Sequence, residues 1–232
     1  MTLTQDQVQR YSRHLLMPEI GGQGQARLLE SAVLIAFSPE ARGAAEALAA
    51  YLAAAGVGRI GWWAAGAGEA PAPGSLAGLL DAYAPGGAGA SVRSINPDAR
   101  LETIGSRDEA KRRDDGLVLL LGEDARLEAF GRECRDGGKA VLRGRLSGMA
   151  GAVLAGEASA LGFEPAEAGE ELPPAPAEGA LGALLAAGAI RALLGEAPAE
   201  AGFDFEKGRL WGRPVPQRAA RGAAPAAEAF SQ

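Results

Sequence analysis

Ala32-Val33-Leu34-Ile35-Ala36-Phe37-Ser38-Pro39-Glu40-Ala41-Arg42-Gly43 opens the stretch that decides the fold, and Gly56-Val57-Gly58-Arg59-Ile60-Gly61-Trp62-Trp63 closes it. Val33 to Ile35 is the kind of short aliphatic run that a parallel sheet buries on both faces. Ser38-Pro39-Glu40 predicts a helix start, with a capping serine, a proline that needs no N–H partner and an early acid. The helix is expected from Pro39 to Ala55, with Ala44, Ala45, Leu48, Tyr51 and Leu52 at the spacing of one apolar face. Gly56 ends it, because glycine accepts the left-handed turn beyond a last helical residue. Arg59 to Trp63 is then a second strand, which completes a βαβ unit. Where such a unit binds a nucleotide, glycines in the first turn let phosphate reach backbone N–H groups at the helix N-terminus. The turn from Phe37 to Gly43 has one glycine, a proline with no N–H and a carboxylate where phosphate would sit.

The 232 residues suit one domain. With 23 basic and 29 acidic residues the net charge is −6, which argues against general affinity for nucleic acid or an anionic membrane. Hydrophobic residues make up 47% and aromatics only 5%, so the core is expected to be slim and rich in alanine, with helices close to the sheet. Cys134 is the single cysteine, which excludes an intramolecular disulfide and a multi-cysteine zinc site within the chain. No uncharged run reaches the roughly 18 residues of a membrane span. The start of the chain lacks a basic-then-apolar leader, and a cytoplasmic protein is expected.

Thr4 with Gln7 predicts a capping box and a helix to about Leu15. A second short helix is expected from Gly24 to Glu30. Ser75 to Tyr83 predicts a further short helix, and Pro85 to Ala90 a glycine-rich loop. Strands are expected at Arg100 to Ile104, Leu117 to Leu121 and Lys139 to Leu142. Ser106 with Glu109 caps a short charged helix, and Asp124 to Arg135 is helical. Glu157 to Glu178, rich in Pro, Ala and Glu, reads as a mobile loop, and Gly179 to Leu194 as an apolar helix. Phe203 to Trp211 predicts a hairpin turning at Lys207-Gly208, and residues 214–232 a disordered tail. Alternating strands and helices give an α/β fold with a mostly parallel sheet covered on both faces.

Arg10-Tyr11-Ser12-Arg13 on the first helix, Pro18-Glu19-Ile20-Gly21, Gly24-Gln25 with Leu28, then Val33-Leu34-Ile35 and Tyr51-Leu52-Ala53-Ala54-Ala55-Gly56-Val57-Gly58 together resemble the ThiF/MoeB family. These are adenylyltransferases related to ubiquitin-activating enzymes, and Ile95-Asn96-Pro97-Asp98 is a further family-like element. The resemblance covers roughly Gln9 to Arg213. It implies a Rossmann-like domain over residues 1–213, with residues 1–31 as a helical arm. It also implies Mg–ATP, an acyl-adenylate on the C-terminal carboxylate of a ubiquitin-like or sulfur-carrier protein, and dimers.

Against that pattern the glycine-rich turn falls on Glu40 to Ala45 and keeps only Gly43. The acids that end the second strand fall near Ala64 and Gly66. The segment of phosphate contacts becomes Pro71 to Leu80, without Arg, Asn or Lys. The magnesium aspartate corresponds to Asp124, and the family's Cys-x-x-Cys zinc pairs are absent. The expectation is a catalytically inactive member with no nucleotide cofactor and no metal. It would act as a homodimer or as a heterodimer with an active relative, with no nucleic acid or membrane partner.

Arg13, with Arg10, is the candidate for reaching a partner's phosphates in trans, as the second arginine of this helix does in the family. The alternatives are a working adenylyltransferase with a relocated ATP–Mg site at Arg42, Gly43 and Asp124, and a peptide- or carrier-binding module without nucleotide. Arg42 reads more simply as a helical residue facing Glu46 one turn on. His14 reads as a half-buried helix residue. Cys134 is read as inert, despite neighbouring arginines that would lower a thiol's pKa. Trp62 and Trp63, adjacent on a strand, point to opposite faces and form no platform. Gly66-Ala67-Gly68 is read as loop, and the basic tail with Arg213, Arg218 and Arg221 as solvated chain.

Overall fold

Six consecutive buried residues, Ala32–Phe37, form β1, the middle one of the five parallel strands. The computed structural model describes residues 2–66, 76–83, 87–155, 175–197 and 199–214. Three helices precede β1: α1 (Gln5–Arg10), α2 (Ser12–Leu15) and α3 (Gly21–Glu30). The predicted capping box starts α1, with the Thr4 and Gln7 side chains each bonded to the other's backbone. After β1 come α4 (Arg42–Ala55), β2 (Arg59–Ala64), α5 (Leu76–Tyr83), α6 (Gly87–Ile95), β3 (Arg100–Thr103) and α7 (Arg107–Arg112). The chain continues through β4 (Leu117–Leu121), α8 (Ala125–Asp136), β5 (Ala140–Ser147) and β6 (Ala150–Ala155) to α9 (Ala175–Leu193), β7 (Ala199–Asp204) and β8 (Arg209–Pro214).

The described strands form one eight-stranded sheet in the order β3-β2-β1-β4-β5-β6-β7-β8. The first five are parallel, and β6 to β8 pair antiparallel. Helices α4 and α9 cover one face and enclose Val33, Ile35, Leu119, Leu142, Leu48 and Leu185. On the other face Leu127 and Phe130 of α8 pack on Leu34, Val118 and Leu120. Trp62 lies against Phe37 on the first face and Trp63 against Phe130 on the second, as strand alternation requires.

Several expectations need correction. The helix after β1 starts at Arg42. Pro39–Ala41 forms a 3-10 turn, and Ser38 makes no capping bond because its hydroxyl is drawn to Glu40 instead. On α4, Tyr51 is 53% exposed and Ala49 and Ala53 take the buried positions. The glycine-rich segment expected as loop is helical from Gly87, as α6. Strand β5, expected to end at Leu142, runs on to Ser147 and pairs with β6 in a hairpin that turns at Gly148 with φ +52°. Helix α9 begins at Ala175, so Glu178 belongs to its first turn rather than to a loop. The C-terminal hairpin forms with its turn at residues 205–208. The remainder of the expected mobile loop, and the tail beyond Pro214, lie outside the described residues.

Candidate functional site

Connections from β1 leave for β2 on one side, while β4 lies on the other, so the strand order reverses at β1/β4. In open α/β sheets ligands settle in the crevice beyond the carboxyl ends of the strands at that point. Here the crevice is drawn together. The Ser38 N–H donates to the Leu121 carbonyl at 3.0 Å, and the Ser38 hydroxyl donates to the Glu40 carboxylate. Ser38 is fully buried. Gly122, at φ +105°, packs so tightly that a Cβ there would overlap the Ser38 hydroxyl and lie 3.3 Å from Glu40 Oε1. Ser38 therefore ties the two loops together, and Glu40 sits at the mouth between them.

The N-terminal end of α4 carries a second carboxylate, which came from a position read as loop. Glu178, on the first turn of α9, is 1% exposed. Its Oε2 accepts the Leu76 N–H at the start of α5 at 2.7 Å, and the Gly43 N–H at the start of α4 also acts to stabilise its charge. A Cβ on Gly43 would collide with that carboxylate and stand 2.9 Å from the Ala77 nitrogen. The retained glycine of the turn thus makes room for Glu178. Burial pushes the Glu178 carboxyl above the usual range. The two N–H groups pull it back and the charge of nearby Glu46 adds to the rise.

Arg42, the residue before Gly43, is already engaged. Its Nε donates to Glu46 Oε1 at 2.9 Å, the expected one-turn pair, and its Nη2 to Asp81 Oδ1 at 2.7 Å. Glu46 is itself buried, and its carboxyl is pushed up by desolvation against the pull of Arg42. Asp124 stands at the start of α8, over the opposite face of the sheet, and caps that helix by accepting the Arg126 N–H at 2.6 Å. Arg42 and Gly43 are therefore neighbours, Asp124 is apart from them, and each of the three has an internal partner. Ala64 is exposed and Gly66 bends the chain after β2, so neither position offers an acid. The described residues contain no group of three or more His, Cys, Asp or Glu side chains placed to hold a metal ion. An ATP–Mg complex needs phosphate-facing N–H groups, free cations and acids placed for magnesium; the described residues at this crevice present carboxylates of their own, held by internal partners.

The amino-terminal arm divides its two arginines. Arg10 is ion-paired with Asp98. Between them the buried Tyr11 hydroxyl accepts the Asn96 Nδ2 at 2.7 Å and donates to Asp98 Oδ2 at 3.2 Å. Asn96 Nδ2 also reaches the Ala53 carbonyl at the end of α4 at 2.7 Å. The expected single helix breaks at Tyr11, and this Arg-Tyr-x-Arg segment and the Asn-Pro-Asp segment are two halves of one joint. Arg13 is exposed and makes no hydrogen bond or ion pair among the described residues. His14 Nδ1 lies 2.9 Å from Gln25 Oε1. Cys134 is buried, and desolvation raises its pKa beyond what neighbouring cations recover. No helix among the described residues is long and apolar enough to cross a membrane.

No family profile matches the chain. Over 59 residues it is 54% identical to the adenylyltransferase and sulfurtransferase MOCS3 of Sus scrofa, a match covering 25% of this chain and 12% of that protein. Over 59 residues it is 48% identical to the probable adenylyltransferase/sulfurtransferase MoeZ of Mycobacterium tuberculosis, covering 25% and 14%. Each match thus spans only a small part of the relative's length. The crystal structure of selenomethionine PaaA superposes with a TM-score of 0.67 at 15% identity, covering 91% of this chain and 84% of that one. Escherichia coli MccB solved with ATP gives 0.65 at 13%, covering 94% and 72%. Identities this low speak for the fold, and the short high-identity segment supplies the kinship. The short segment and the shared fold together bear out the resemblance of this chain, as a divergent relative, to the ThiF/MoeB family.

Proposed function

We propose that this chain is a catalytically inactive member of its family, a pseudoenzyme that serves as a structural or regulatory dimer partner of an adenylylating relative. The observation that carries the reading is the occupation of the α4 N-terminal end. The carboxylates of Glu178 and Glu40 stand where an adenylylating enzyme would meet phosphate, and Arg42 is neutralised by Glu46 and Asp81. A helix N-terminus attracts one anion well, and a second anion brought there meets the charge of the first. Exposed, unpaired Arg13 suits the partner role. A guanidinium is permanently charged and forks onto phosphate, so it serves another subunit's site even when its own chain holds no nucleotide.

Titration calorimetry with millimolar Mg–ATP, together with ATP–pyrophosphate exchange, tests the inactive reading; neither heat nor exchange is expected. A micromolar binding constant overturns it in favour of a relocated site at Arg42, Gly43 and Asp124. The partner role is tested by purifying the chain from its native cell with whatever accompanies it. In a complex with an adenylylating relative, Arg13→Ala is expected to lower the relative's rate while leaving the complex intact. An unchanged rate, or no such complex, removes the trans role. A carrier or peptide co-purifying without such a relative points to the binding-module alternative instead.

A further inference from the structure

The geometry around Glu178 points to an internal latch, in which this carboxylate is the resident anion of the α4 and α5 N-termini and replaces an external ligand as the group that closes the crevice. Three features of the chain meet at it. Gly43 contributes its N–H and, by lacking a Cβ, the space for the carboxylate. Leu76 contributes a second N–H, at 2.7 Å. Helix α9 contributes the carboxylate itself, from a first turn that lies beside the first turn of α4 because the two helices run side by side in the same direction. Gly43 faces Glu178 and, one turn on, Gly182 faces Ala44, Ala47 and Leu48. The amino-terminal ends of α4, α5 and α9 therefore converge on one buried carboxylate.

This arrangement explains a pairing that is otherwise odd. Glutamate is almost never fully buried unless paired, yet Glu178 makes no ion pair among the described residues. Its partners are backbone N–H groups that a helix leaves unsatisfied at its first turn. A phosphate oxyanion would use the same groups, and the carboxylate presents two oxygens to them in its place. Because the anion is covalently part of α9, it also fastens α5 and α9 to α4. Those are the two elements that follow residues 67–75 and 156–174 in the chain. The latch stands on its own geometry and does not depend on the loss of adenylation.

The experiment is rescue by a small oxyanion. Glu178→Ala removes the carboxylate and leaves a space bordered by the two N–H groups, and Glu178→Gln keeps the volume filled. Thermal unfolding is followed for the full chain and both variants in sodium chloride and in sodium formate of equal ionic strength. Formate is expected to return at least half of the melting temperature that Glu178→Ala loses in chloride. It should shift the wild type and Glu178→Gln equally and much less. If Glu178→Ala does not fold in chloride, recovery of its far-ultraviolet circular dichroism in formate is the same positive result. A formate response of Glu178→Ala no larger than that of Glu178→Gln, or no recovery of an unfolded variant, overturns the latch.

Discussion

At the scale of the residue, small groups decide what can approach. Gly182 sits where a Cβ would stand 2.7 Å from the Ala44 carbonyl oxygen and 2.7 Å from the Ala47 side chain. Gly182→Ala must push α9 off α4, and forcing a methyl into a packed contact costs about 1–3 kcal/mol. The check is the urea midpoint, which should fall with no change in slope. Asn96 is the other sensitive residue, since its amide satisfies Tyr11, Ala53 and the Asp98 N–H from a nearly fully buried position. Asn96→Ala leaves buried partners unmet at about 1–3 kcal/mol. It should also loosen the amino-terminal arm, seen as faster amide exchange over residues 5–15. Exchange there that stays as slow as in the wild type would separate the arm from this joint.

At the scale of the element, charge at helix starts is the recurring device. Asp124 caps α8 by accepting the Arg126 N–H, so Asp124→Ala is expected to cost about 1 kcal/mol in urea unfolding. Asp124→Asn, which keeps the capping oxygen, should cost far less; equal losses would mean the charge matters more than the cap. Glu178 and Glu46 give a pH dependence of unusual sign. Burial raises both carboxyls in the folded state above their unfolded values. Each therefore contributes fully below the ordinary carboxylate pKa of about 4.3 and loses that contribution as pH rises through the folded value. Arg42 and Asp81 face Glu46, and Glu46 faces Glu178, so the two acids titrate in one neighbourhood. Relative to Glu178→Gln, the wild type should lose urea stability as pH rises from the ordinary carboxylate value towards neutrality. A difference that stays flat would show that Glu178 ionises as in water.

At the scale of the whole molecule, α9 ties the parallel and antiparallel parts of the sheet into one cooperative unit. It packs on β4, β5, β6 and β7 as well as on α4, with Leu185 fully buried at the centre. Leu185→Ala is expected to cost about 2–5 kcal/mol. In a Trp211→Phe background, where Trp62 and Trp63 alone report and sit in the parallel half, their fluorescence transition should still coincide with loss of helical circular dichroism. Two separated transitions would show that the β5–β8 half unfolds alone.

The sequence by itself determined the βαβ unit, the parallel strands, the terminal hairpin and the opposed tryptophans. Each rests on local signals: apolar runs, period-2 alternation, a proline and glycines at helix ends. It also showed what the first turn lacks, since a proline without N–H and an acid at Glu40 are visible in one dimension. Helix α6 and strand β6 escaped the reading because glycine and alanine carry little periodic contrast. Only the tertiary structure decided that Arg10 and Arg13 have different fates, one locked to Asp98 and one without an ion pair among the described residues, because the ion pair closes between residues far apart in the chain. Only it decided that Gly43 serves Glu178. That contact needs α9 to lie parallel to α4, and a carboxylate distant in sequence reaches a helix N-terminus only when packing has placed the two first turns side by side.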